Sequence, residues 1–299
     1  MSCTGNRTLF YDPRYFCGGL GIDTREKARF VVDSLVESPM SGLEVESPTP
    51  ATYDDLVTVH DPAYVDAILN GVPRHRSQNN GFGRWTPELA QSVVWSTGGV
   101  MSAVHRALTT GTNCGSASSG LHHAQFDHGN GFCTFNGLVV GARHALSMGA
   151  KRVLILDLDA HCGGGTASLI DGVVGIEQVD VSVNSFDSYR STMNSILKMS
   201  RGETYLSDIY EALHGIENPK SIDVVIYNAG MDPHEDCRIG GMSGVTTGVL
   251  RKREEMVFSW AAEAEVPVAY VFAGGYEGGD LTRERLINLH RLTLEMSFK

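Results

Sequence analysis

The chain has 299 residues, 42% of them hydrophobic and 20% charged, with a formal net charge of -11. That is apolar material enough for one large α/β domain, and the sign of the charge is wrong for a protein that holds nucleic acid by its phosphates. The six cysteines lack any C-x-x-C pair, and neither an apolar leader nor a membrane-length apolar run is present, so reduced thiols in a cytoplasmic protein are expected.

In chain order, RTLFYDP (7–13) is the first predicted strand. A helix is predicted over 24–37, followed by short helices over 52–60 and 62–71. PRHRSQNNGFGRW (73–85) reads as a long exposed loop. The stretch 86–111 predicts a long helix that opens on Thr86-Pro87 and closes on Gly111. CGSASSG (114–120) is a weaker, small-residue strand, and a helix follows over 136–150. RVLILDLDA (152–160), QVDVSVN (178–184), DVVIYNAG (223–230) and PVAYVFAGG (267–275) are nearly continuous apolar runs, as expected of strands covered on both faces. Helices over 246–265 and 283–297 complete the set. This alternation predicts an α/β fold in which one domain, 1–299, is an open, mostly parallel β-sheet with helices on both faces.

In such sheets functional groups gather beyond the carboxyl ends of the strands. Asp157, Asp159 and His161 alternate at one strand end and should share a face. Asp232 follows the next strand, in NAGMDPHED, and Tyr276 follows another, in AGGYEGG. GLHHAQFDHGNGFCTFN (120–136) adds the adjacent pair His122 and His123. Buried carboxylates need a partner. Two carboxylates and one imidazole make a hard site suited to a catalytic zinc or another divalent metal, whereas closed structural sites favour thiolates. Cys162 should point to the opposite face and is not expected to be a ligand. Taken singly, a D-x-D, a His-His pair or a Gly-Gly-Tyr is more often a cap, a polar loop or a packed turn. Together, in order and each at a strand end, they point to chemistry.

With these motifs the chain resembles the histone deacetylase superfamily, which includes acetylpolyamine amidohydrolases and acetoin-utilisation proteins. The likeness runs from about Tyr11 to Tyr276 and rests on 51–68, 120–136, DLDAH (157–161), NAGMDPHED (228–236) and AGGY (273–276). It implies the arginase/deacetylase fold and a deacetylase that removes an acetyl or other acyl group from an amine, using Zn2+ or another divalent metal such as Fe2+. The substrate would be an acyl-lysine peptide or a small acylated amine, with no nucleic acid or membrane partner. The resemblance implies that Asp159, His161 and Asp232 bind the metal. His122 and His123 become the tandem histidines, Asp157 holds His122, and Tyr276 is the catalytic tyrosine. Phe132 would wall the acyl channel and the Gly131 carbonyl would meet the substrate amide. A structural K+ is implied near Asp157, Asp159, His161, Ser182 and Val183. The chemistry agrees: a histidine must take a proton from water and return one to the leaving amine, assigned to His123, while the tyrosine hydroxyl supports the oxyanion.

Three departures carry expectations of their own. Gly164 stands where the family commonly has the aspartate that orients the second tandem histidine. His123 is therefore expected to lack a carboxylate unless Asp127, Glu235 or Asp236 fills the space. Aspartate installed at 164 is expected to restore the partner. Cys162 replaces a histidine or glutamine often found there. The segment 16–29 lacks the family's His-Pro pair, leaving Arg29 as the expected match to its arginine. A two-metal ureohydrolase fails because Gly163 occupies the position its second metal needs as aspartate. A non-catalytic acyl-amine or partner-binding module draws support from Gly164, against the retention of the whole polar set.

Overall fold

The computed structural model describes residues 7–18 and 26–299. These form an eight-stranded sheet ordered β2-β1-β3-β8-β7-β4-β5-β6, with every neighbouring pair parallel. The strands are β1 (Arg7–Phe10), β2 (Leu43–Glu46), β3 (Cys114–Ser116), β4 (Val153–Asp157), β5 (Ile176–Ser182), β6 (Ser195–Met199), β7 (Val224–Asn228) and β8 (Val268–Val271).

Alternate residues of the central strands enter two separate cores. Leu154, Leu156, Val225, Tyr227, Val268 and Tyr270 pack on one side, against α1 (Glu26–Glu37), α8 (Tyr205–His214), α9 (Thr247–Ala264) and α10 (Arg283–Met296). Val153, Ile155, Val224, Ile226, Ala269 and Val271 pack on the other, against α3 (Pro62–Asn70), α5 (Pro87–Thr110) and α6 (Gly137–Ser147). Period-two side-chain alternation thus explains why the runs are apolar throughout. The helix ends follow their chemistry. Thr86 accepts a hydrogen bond from Leu89 N ahead of Pro87, and α5 stops at Gly111 in the left-handed region.

Most expected elements occur where the periodicity placed them, trimmed at their ends, but β5 begins two residues before the expected 178–184 and ends at Ser182; residues 24 and 25 of the first predicted helix lie outside the described residues. The sequence reading lacked the edge strands β2 and β6 and the helices α4 (Arg74–Ser77), α7 (Gly164–Ile170) and α8, while α2 (Tyr53–Val57) is shorter than its expected 52–60. The segment 73–85 is not simply an exposed loop. Its buried Asn80 donates from Nδ2 to Thr134 Oγ1 at 2.7 Å, and Trp85 Nε1 donates to Ile68 O at 2.6 Å, pinning it to the body.

The chain leaves β4 towards β5 and β6, then returns on β4's other side with β7. Strand order reverses there, which opens a crevice at the carboxyl ends of β4 and β7, where Asp157 pairs in register with Asn228.

Candidate active site

Beyond β4 and β7 the loops turn inward and bring together three side chains that could hold a metal ion. Ligand atoms of the buried residues Asp159, His161 and Asp232 lie within 4.8 Å of one another. His161 Nδ1 is 3.2 Å from Asp159 Oδ1 and 3.1 Å from Asp232 Oδ2. Backbone amides fix the carboxylates: His161 N donates to Asp159 Oδ1 at 3.0 Å and Ala160 N to Asp232 Oδ1 at 3.1 Å. Asp232 Oδ2 is left with no hydrogen-bond partner although it is buried. An orphaned carboxylate oxygen facing an imidazole nitrogen is the arrangement a divalent cation completes, and the oxygen-rich donor set suits zinc or iron.

Beside this cluster stand the adjacent histidines, with ring centroids 3.9 Å apart. His122 Nδ1 donates to Asp157 Oδ2 at 2.8 Å, and Asp157 Oδ1 accepts from Asn228 Nδ2 at 2.8 Å. His123 Nδ1 donates to Asp187 Oδ2 at 2.9 Å. This overturns the expectation that His123 lacks a carboxylate. Asp127 instead pairs with His128, Glu235 accepts from Gly244 N, and Asp236 pairs with Arg285. Aspartate at 164 would not restore a missing partner, because the partner is already present. Asp187 lies in the loop that follows β5, whose carboxyl end opens on the same crevice.

The two rings differ sharply in charge. Burial alone would push the His122 pKa down, but the negative charges of Asp157 and Asp159 outweigh it and raise it to about 10. For His123, burial and then repulsion from His122 dominate over the hydrogen bond to Asp187, and its pKa falls to about 4. His123 is therefore neutral near pH 7, with its proton on Nδ1 and its lone pair on Nε2.

The turn bearing Tyr276 closes directly over Asp232. A methyl group at Gly274 would lie 2.0 Å from Asp232 Oδ1, and Gly274 has φ +38°, so only glycine allows this approach. Burial, followed by the charges of Asp232 and Asp159, holds the Tyr276 hydroxyl protonated well above its ordinary range. Lys27 Nζ donates to the Gly274 carbonyl. Arg29, expected to approach this region, instead pairs with Glu26 on the surface at 2.8 Å. Residues 19–25 of that segment lie outside the described residues.

Gly131 backs onto the His123 ring, and the neighbouring Phe132 packs against Phe82 with centroids 5.3 Å apart. Phe186, absent from the sequence reading, meets His123 edge-on at 5.0 Å and is 45% exposed. Ser182 ends β5 beside the 158–162 loop, and Val183 just beyond it donates from N to Ala160 O at 3.0 Å. Cys162 points away from the ligand cluster, its Sγ 3.3 Å from Asn184 O.

The model of the histone deacetylase domain matches residues 22–288. An uncharacterised protein of Picosynechococcus is 34% identical over 74% of this chain and 75% of its own length. Histone deacetylase 2 of Arabidopsis thaliana is 28% identical over 78% of this chain, a match that spans 63% of that protein. A probable deacetylase of Methanothermobacter thermautotrophicus is 25% identical over 89% of this chain and 83% of its own. The crystal structure of the HDA15 HD domain superposes with a TM-score of 0.77 at 17% identity, covering 98% of this chain and 90% of that one. A match across nearly the whole chain, on this sheet and this strand-end cluster, settles the assignment: the chain belongs to the histone deacetylase family.

Proposed function

We propose that the protein is a zinc-dependent amidohydrolase that removes an acetyl or other acyl group from an amine, either an acyl-lysine or a small acylated amine. The observation that carries this reading is the convergence of Asp159, His161 and Asp232 beside two histidines whose Nδ1 atoms are each held by a carboxylate. A divalent metal on those three residues would polarise the acyl carbonyl and acidify a water molecule.

The chain's own residues do the rest. Neutral His123 takes a proton on Nε2 and passes it to the leaving amine nitrogen. Cationic His122, fixed by Asp157, offsets the negative charge of the ligand carboxylates and of the developing oxyanion. The Tyr276 hydroxyl, kept protonated, donates to that oxyanion from the opposite side. Phe132, Phe82 and Phe186 exclude water from the acyl channel, and the Gly131 carbonyl receives the substrate N–H.

Purified protein should release acetate from a panel of acetyl-lysine peptides and acetylated polyamines when loaded with zinc. It should stop with chelator and resume on zinc addition. In Asp232→Asn, elemental analysis should find the stoichiometric metal gone. A fully loaded protein that cleaves none of the panel would overturn the proposal, and so would full metal occupancy in the variant.

A further inference from the structure

The carboxylate that holds His123 comes from an unexpected loop, and it occupies the space a side chain at position 164 would need. A Cβ at Gly164 would fall 2.3 Å from Asp187 O, 2.7 Å from its Oδ1 and 2.9 Å from its Cγ. These are far inside contact distance, so a side chain at 164 and residue 187, backbone carbonyl and carboxylate alike, exclude one another. Asp187 is also held in the left-handed region at φ +58°, a conformation that disfavours any residue but glycine. The loop is tied down on both sides of that strain. Gly165 N donates to Asp187 Oδ2 at 3.1 Å, and Cys162 N donates to Phe186 O at 3.0 Å. The same carboxylate oxygen therefore accepts from His123 and from the backbone next to Gly164.

We propose that Asp187 is the positioning residue for His123, and that Gly164 is the vacancy that admits it. The orienting carboxylate has moved from the segment after the metal ligands to the loop 184–189, and one position had to lose its side chain for the other to reach in. A consequence for specificity follows. Phe186 immediately precedes Asp187 and stands edge-on to both His123, at 5.0 Å, and His161, at 6.0 Å. The loop that walls the channel is thus the loop that orients the base, and an acyl group packing on Phe186 braces the Asp187 contact. Acyl-chain preference should then appear in kcat as well as in KM.

This rests on His123 being the base, so the test combines a turnover readout with one that needs no turnover. Zinc-loaded full-length protein is compared as wild type, Asp187→Gly, Gly164→Asp and the double exchange. Glycine at 187 removes the carboxylate while tolerating φ +58°. Asp187→Gly should lower kcat on the order of 10- to 100-fold with metal stoichiometry retained. Gly164→Asp should also lose activity, since two carboxylates cannot share the space. The exchange still leaves the backbone carbonyl of residue 187 where the new Cβ must sit, so it should gain nothing over either single variant. In parallel, 15N-histidine NMR should place the His123 proton on Nδ1 in wild type, and redistribute it between the two nitrogens in Asp187→Gly. Wild-type turnover in Asp187→Gly or in Gly164→Asp would overturn the proposal. If wild type itself is inactive, the deacylase reading fails. An unchanged His123 tautomer in Asp187→Gly would then also refute the positioning role.

Discussion

His122 and His123 are the same side chain one residue apart, yet they are driven to opposite protonation states. Asp157, Asp159 and Asp180 together outweigh burial at His122, whereas at His123 burial and the cationic neighbour outweigh Asp187 and Asp159. The proposed hydrolysis requires both a carrier for the proton and a fixed positive charge, and the pair would supply one of each. Tyr276 tests the other half of the chemistry. If its hydroxyl is used only when negative charge develops on the substrate oxygen, Tyr276→Phe should cut kcat on the order of 10²–10³ and leave KM within about threefold. Unchanged turnover would reduce this tyrosine to a packed turn residue. Most of these residues were legible in the sequence because each follows a strand and carries a polar group where burial forbids an idle one. Asp187 was not, because its role depends on a glycine elsewhere being absent of bulk. That is a spatial relation, and no one-dimensional pattern expresses it.

Between elements, the tandem-histidine segment is held by the corner that joins α2 to α3. Buried His60 donates from Nδ1 to Gln125 O at 2.8 Å and accepts from Asn136 N on Nε2 at 2.9 Å. Asn136 caps α6 through Val139 N and donates to His122 O at 3.2 Å, so one histidine buttresses both ends of the segment. Accepting from Asn136 requires the neutral ring, and burial lowers the His60 pKa from 6.5 to about 4. Between those two values the unfolded chain binds the proton and the folded one does not. Stability is therefore complete above the unfolded pKa and is lost as pH falls towards about 4, by ~1.4 kcal/mol per pH unit at most. His60→Gln should be destabilised relative to wild type at pH 7, and urea titrations should show that gap narrowing by about 3 kcal/mol as pH drops to 4. A gap independent of pH would show that His60 is not neutral by necessity. The helices and inner strands were legible from periodicity and caps. The edge strands were not: Leu43–Glu46 alternates with glutamates, and Ser195–Met199 has one face open to solvent, so neither carries a buried pattern.

Over the whole molecule, the site exists because strand order reverses between β4 and β7. That order was not legible, since apolar runs reveal burial on both faces but not which strand lies alongside. The ladder between the two strands ends at Asp157 and Asn228, yet Asp159 and Asp232 must still be held in mutual register. Arg253 of α9 spans the gap from below. Fully buried, it donates from Nη1 to Leu158 O at 3.2 Å and Gly230 O at 2.6 Å, one carbonyl from each ligand-bearing loop. Its Nε and Nη2 are held by Glu254 Oε1 at 2.8 and 2.6 Å, and Tyr227 donates to that same oxygen at 2.7 Å. Removing only the arginine would leave Glu254 buried and uncompensated, a loss of about 3–5 kcal/mol, or roughly 10 °C in Tm. Arg253→Met should therefore melt early. Replacing both partners, Arg253→Met with Glu254→Met, should return most of that stability, because no buried charge remains. It would not return the link between the loops. Zinc affinity measured by chelator competition should accordingly stay weakened by about 10- to 100-fold in the double variant, even where its Tm approaches that of the parent. Recovery of zinc affinity in step with Tm would mean that the pair serves packing alone, and that the two ligand loops keep their register without it.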